Sequence, residues 1–168
     1  MTWGAGRRSG EAPYEPGIGP RLRYIVEAMA YETSIKIDAA PERVWAVLSD
    51  VERWPEWTAS MRKVDKRGDG ELAVGTKVRI KQPKVPAVTW EVTELEPERS
   101  FTWIATSPGL TTVGEHRITP LGPSAVEVHF GIRCSGLLAG VVSALSVSLT
   151  WRYVAMEVEG LKQRCEVG

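Results

Sequence analysis

Apolar residues along this chain keep two different periods, and the switches between them lay out its elements. From Tyr31 the stretch YETSIKI alternates β-favouring and polar positions and predicts a strand that Asp38 ends. Pro41 then stands where a helix tolerates proline, and Val44, Val47, Leu48 and Val51 fall at i, i+3, i+4 and i+7, one apolar stripe of a short helix. Pro55 interrupts that pattern, because an interior proline removes a helix hydrogen bond and clashes with the preceding turn, so a kinked second helical piece carrying Trp57 is expected. Strand-like segments follow over 60–67, 75–82, 86–95, 100–107, 111–120 and 124–134. They are separated by RGDGELAVG, QPKVP, LEPERS, SPGL and PLGPS, in which Gly or Pro supplies the backbone angles a turn needs. After Gly136 the period becomes helical and holds to about Arg164, with Leu138, Val142, Leu145, Leu149 and Met156 marking one stripe.

The order is therefore one strand, two short helices, six strands and a long C-terminal helix. Short links favour antiparallel neighbours. Seven twisted strands cannot stay flat, so the sheet curls around whatever covers its concave face, and the long helix is the cover at hand. The expected fold class is α+β, with a seven-stranded curved antiparallel sheet.

Alternation assigns the inner face. Val126, Val128, Phe130 and Ile132 share one side of the last strand, and Glu127, His129 and Arg133 share the other. The same rule turns Val78 and Ile80 inward, then Val88, Trp90 and Val92, and then Phe101, Trp103 and Ala105. In TTVGEHRITP, Ile118 is the apolar anchor, which sends Thr112, Gly114 and His116 inward and Glu115 and Arg117 outward. His116 is thus expected among indoles, and His129 in solvent. Lys77, Arg79, Lys81 and Lys84 form a basic outer stripe that Glu91, Glu94, Glu96 and Glu98 can pair across the sheet.

Charge narrows the partners. Lys plus Arg and Asp plus Glu number 21 each, without a basic run, so nucleic acid is not an expected partner. The two cysteines, Cys134 and Cys165, carry no metal-ligand spacing, and reduced thiols in a cytoplasmic protein are the default. Residues 134–151 are free of charge, yet their serines and threonine argue for a helix covering a core over stable membrane insertion. Residues 1–28, rich in Gly and Pro and without sustained period, read as a tail to a domain spanning 29–168, with translation from Met29 as one account of it. The N-terminus lacks the apolar region of a secretory peptide.

The segment APERVWAVLSDVERWPEW, the stretch TWEVTELEPERSFTW and the terminal helix together resemble the START-like, or SRPBCC, superfamily, and its polyketide cyclase/dehydrase branch above all, over about residues 30–166. The resemblance implies a helix-grip fold: the sheet wraps the C-terminal helix and leaves an apolar cavity, one end of which the short helices close. Members of this superfamily include carriers, cyclases and hydratases, so the resemblance carries fold further than function.

With that cavity, the inward residues become candidate ligand walls: Val78, Ile80, Trp90, Val92, Phe101, Trp103, Thr112, His116, Ile118, Val128 and Phe130. Trp57 is the expected mouth residue, whereas Trp54 is expected to staple the kinked helices and Trp45 to pack on the sheet. On the long helix Val141, Leu145, Leu149 and Arg152 are expected to line or cap the cavity, Arg152 as a binder of an acidic head group or a snorkelling side chain. His116 reads three ways: a satisfied interior histidine, a group that orients a ligand, or the proton carrier of an enzyme. The tryptophans read equally as core filler or ligand walls.

Two functions follow. The first is a carrier or sensor enclosing a lipid, polyketide or aromatic molecule. The second is a cofactor-free cyclase or dehydratase doing acid–base chemistry in the same cavity, since no nucleophile elbow, phosphate loop, nucleotide fingerprint or metal-ligand set occurs. No cofactor or metal is expected, and a homodimer stays open.

Overall fold

A computed structural model describes residues 27–167. The expectations for residues 1–26 lie outside the described residues, whereas Glu27 and Ala28, assigned above to the tail, open the first strand. The elements are β1 (Glu27–Ile37), α1 (Pro41–Ser49), a 3-10 helix (Val51–Glu56), β2 (Lys63–Lys66), β3 (Lys77–Lys81), β4 (Val88–Glu96), β5 (Ser100–Ser107), β6 (Leu110–Gly122), β7 (Ala125–Ser135) and α2 (Ala139–Glu166).

The seven strands form one curved sheet in the order β1-β7-β6-β5-β4-β3-β2, antiparallel at every pairing. β1 and β2 occupy opposite edges, so α1 and the 3-10 helix must carry the chain from one edge to the other, and they pass beneath α2 on the way. Pro41 supplies the preset backbone angle at the start of α1, and Val44 and Leu48 bury its stripe. The kinked piece expected around Pro55 is a 3-10 helix, whose shorter hydrogen bonds run from Arg53 N to Asp50 O at 3.1 Å and from Trp57 N to Trp54 O at 3.1 Å.

The core lies between the sheet's inner face, α1 and the C-terminal half of α2. Alternation held in β3, β5, β6 and β7: Val78, Ile80, Phe101, Trp103, Ala105, His116, Ile118, Val126, Val128 and Phe130 are all buried. In β4 it held only in the middle. Val88 is exposed, and a bulge between Val92 and Glu94 inserts an extra residue, so that Leu95 and not Glu94 turns inward.

α2 carries the largest departure. In the second half of α2 the buried side chains are Tyr153, Val154, Glu157, Val158, Leu161 and Cys165, while in the first half Val141 is 61% and Leu145 82% exposed. At about 100° per residue, the buried set lies roughly half a turn around the helix from the stripe that runs through Leu138, Leu145 and Leu149. The helix is docked by its second half. Arg43 of α1 donates to the carbonyl of Cys165 at 2.8 Å, Lys162 to that of Lys36 at 2.8 Å, and the carboxylate of Glu166 accepts the N–H of Asp38 at 2.8 Å. Gly160 permits the approach to the 3-10 helix, since a side chain there would overlap the carbonyl oxygen of Trp57.

Candidate functional site

Strand register builds the site. Phe101, His116 and Phe130 stand opposite one another on β5, β6 and β7, and the next inner row sets Trp103 opposite Gly114 and Ile132. Phe101 stacks on His116 with centroids 4.4 Å apart, and Phe130 meets the imidazole edge-on at 5.1 Å. Gly114 has no side chain, so the indole of Trp103 lies across it. That indole is hemmed by Trp54 and Trp90 at 5.4 Å each, by Phe101 at 5.2 Å and by His116 at 5.4 Å. An alanine methyl at position 114 would overlap the indole nitrogen and stand 2.8 Å from its Cδ1, so the ring would have to shift among its aromatic neighbours. Gly114→Ala is expected to destabilise the fold by about 1–3 kcal/mol, the usual range for overpacking. An unchanged urea midpoint would show that the ring moves freely.

Between this aromatic wall and α2 lies a cavity of about 60 Å³, lined by Met61, Ile80, Gln82, Trp90, Trp103, Glu115, His116, Phe130, Gly131, Ile132, Val154 and Glu157. Two polar groups in it are buried. Among the described residues the Nδ1 atom of His116 has no hydrogen-bond partner. Burial, with the neighbouring His129 adding to it, pushes the imidazole down to about 3, so the ring is neutral at physiological pH. Glu157 reaches in from α2, where its Oε1 accepts the hydroxyl of Ser60 at 2.9 Å, and Ser60 is joined to the hydroxyl of Thr58 at 2.9 Å. Burial pushes the Glu157 carboxyl up to about 7, against the opposing influence of the Ser60 hydrogen bond. Glu115 stands on the other face of β6 from His116 and is held by Arg133.

Ile80, Trp90, Trp103, His116 and Phe130 thus come together on the cavity, as a set drawn from the inward positions. Val78, Val92, Phe101, Ile118 and Val128 lie in the packed core around it, and Thr112 is half-buried beside Cys134, 3.6 Å from its sulfur. Val141 and Leu145 lie outside the cavity on the exposed side of α2, and Leu149 is half-buried away from it. Trp57 and Arg152 meet in a separate open groove on the outer side of α2 with Met156 and Gly160, so neither stands at the cavity. Of the two helix-break tryptophans, Trp54 joins the helical pieces as expected, whereas Trp57 does not stand at the cavity mouth. Trp54 is fully buried, its indole N–H donates to the carbonyl of Leu48 at 3.0 Å, and its ring lies 5.5 Å from His116. His129 stands on the outer face, half-buried, its Nδ1 3.4 Å from the hydroxyl of Ser34.

Met61, Gln82, Glu115, Gly131, Val154 and Glu157 are the cavity residues that the sequence reading did not place there. For Glu157 a signal existed. Val154, Val158, Leu161 and Cys165 recur at helical spacing, and Glu157 falls inside that face, which makes it a carboxyl on a core stripe.

Residues 29–166 match the family described as polyketide cyclase / dehydrase and lipid transport. The chain belongs to that family. Solved structures share the fold of this polyketide cyclase/dehydrase relative at low identity. The Zhui aromatase/cyclase from a Streptomyces species superposes with a TM-score of 0.67 at 18% identity, over 82% of this chain and 93% of that one. Norcoclaurine synthase from Thalictrum flavum, solved with dopamine and hydroxybenzaldehyde, gives 0.66 at 12% identity, over 92% and 95% of the two chains. A START superfamily protein from Mycobacterium smegmatis gives 0.63 at 15% identity, over 80% and 97%. No curated protein matches the chain. Among the described residues no helix is long and apolar enough to cross a membrane, and no group of His, Cys, Asp or Glu is arranged to hold a metal ion.

Proposed function

We propose that this protein binds a small apolar or aromatic molecule between its sheet and α2, with the polar part of that molecule directed at His116 and Glu157. The observation that carries the reading is the cavity itself: an aromatic and aliphatic wall that encloses two buried polar side chains, one with an unpartnered nitrogen. A core without a ligand leaves few buried polar atoms unpaired, because each costs about 1–3 kcal/mol. At roughly 10–15 Å³ per water-sized group, a cavity of about 60 Å³ takes about four to six non-hydrogen atoms, the size of a ligand's head and not of a whole polyketide. The remainder of a larger ligand would have to displace side chains or extend past the cavity.

Native mass spectrometry of the purified protein, followed by titration with aromatic ketones, phenols and fatty acids read by indole fluorescence, tests this. Binding should appear as a co-purifying mass or as quenching, and Trp103→Ala should weaken it. Absence of any bound mass, together with unchanged fluorescence across the panel, would remove the reading.

One observation favours turnover as a second reading. A carboxyl that titrates near neutrality can both take and return a proton at physiological pH, and Glu157 is such a group in an apolar pocket. In a cyclisation or dehydration its carboxylate would remove a proton from carbon beside a carbonyl while the neutral His116 imidazole donates an N–H to the carbonyl oxygen. Under this reading Glu157→Gln lowers turnover by about 10²–10⁴-fold and leaves affinity nearly unchanged. Under binding alone, neither Glu157→Gln nor His116→Ala has a rate to change.

A further inference from the structure

We infer that the head group this cavity accepts is a compact primary ammonium, so that the natural ligand is an amine. The inference rests on reading the cavity as the ligand site and adds the chemistry of what enters it.

The argument is one of complementarity. Among the described residues no lysine or arginine lines the cavity, and Glu115, whose side chain stands on the outer face of β6, is held by Arg133. Among the described residues Glu157 has no cationic partner. Its one hydrogen bond comes from Ser60 to Oε1, which leaves Oε2 free to accept. The neutral His116 ring brings one donor and one acceptor, and among the described residues its buried Nδ1 has no partner. The Glu157 carboxylate is thus the group that asks for a further donor. A carbonyl brings none, a hydroxyl brings one, and a primary ammonium brings three and needs no acceptor of its own.

Charge points the same way. Stabilising a buried carboxylate requires an opposite charge with good geometry, and an entering ammonium supplies it. The rest of the wall suits a cation as well, since Trp90, Trp103 and Phe130 line it and aromatic rings attract cations, most strongly when water is excluded. The volume is right for the ammonium and the few carbons next to it, about four to six non-hydrogen atoms in all. A carboxylic acid ligand, by contrast, would meet Glu157 with no cation between them.

The test compares two ligands of the same ring and size on the unaltered protein at about pH 8, where the Glu157 carboxyl is mostly ionised: cyclopentylamine and cyclopentanol. Binding is read from the indole N–H resonances of Trp90 and Trp103. The amine is expected to bind at least about tenfold more tightly than the alcohol, the increment of a charge-assisted contact. Glu157→Gln, which keeps an acceptor for Ser60, should bring the two within about threefold by weakening the amine alone. Equal or tighter binding of the alcohol would overturn the ammonium inference and leave small-molecule binding intact. If neither ligand shifts the indole resonances, both fall. Should the variant not fold, the comparison on the unaltered protein decides by itself.

Discussion

Trp54→Ala is expected to lower the stability of the fold by about 3–5 kcal/mol, the range for removing a large aromatic from a packed core. Trp54 is the largest of the fully buried side chains, and its ring touches three separate parts of the structure. It lies 5.4 Å from Trp57 just past the 3-10 helix, 5.4 Å from Trp103 on β5 and 5.5 Å from His116 on β6. Its indole N–H also donates to the carbonyl of Leu48 near the end of α1, so truncation leaves that carbonyl short of a partner as well as opening a hole. Trp57→Ala should cost less, because that ring is half-buried and its N–H has no partner among the described residues to lose. Urea denaturation of the two variants checks the order. A larger loss in Trp57→Ala than in Trp54→Ala would mean that the 3-10 helix is held from its outer side.

The other large effect is a pair of opposed pH dependences in one cavity. The His116 imidazole is pushed from 6.5 down to about 3. Between those values the unfolded chain binds a proton that the native state excludes, so stability falls on acidification by about 1.4 kcal/mol per pH unit. Glu157 works the other way, pushed from 4.5 up to about 7. Between those values the native state holds a proton that the unfolded chain has released, and its contribution is lost as pH rises, with the same slope of about 1.4 kcal/mol per unit. From about 4.5 to about 6.5 the two nearly cancel in the native protein.

Substitution should uncover each in turn. His116→Phe leaves Glu157 alone, and stability relative to the parent should decline with rising pH across that window by about 3 kcal/mol. Glu157→Gln leaves His116 alone, and relative stability should climb by about the same 3 kcal/mol over the same window. Urea midpoints at several pH values read both, and the shared surface carboxylates drop out of the differences. Variants that run parallel to the parent would mean that neither group is buried in the state that unfolds.

Much of this architecture was legible before any coordinates. Strands and turns could be read because side chains alternate with period two and each break carries Gly or Pro, and the inner faces of β3, β5, β6 and β7 followed from alternation alone. His116 was found that way, since one apolar anchor at Ile118 sets the face of its whole strand. The bulge in β4 escaped because it changes register without changing composition, and with it the inward turn of Leu95.

The placement of Trp57 escaped because it follows the 3-10 helix as its C-cap, and what it faces is set by α2 packing on it at Gly160 and not by a local period. Leu145 and Glu157 show the remaining gap. Over 134–151 the chain is uncharged on every side, so hydropathy cannot say which face of α2 is covered, and a stripe chosen there extends to the wrong side of the second half.

The sequence by itself determined the element order, the antiparallel sheet and the aromatic inner face, because these depend on local periodicity and short connections. Only the tertiary structure decided the rotation of α2 about its axis, and with it the meeting of Glu157 and His116 in one cavity. A helix's rotation is set by what it packs against, here β1, β7 and α1, and contacts between residues far apart in the chain leave no periodic trace along it.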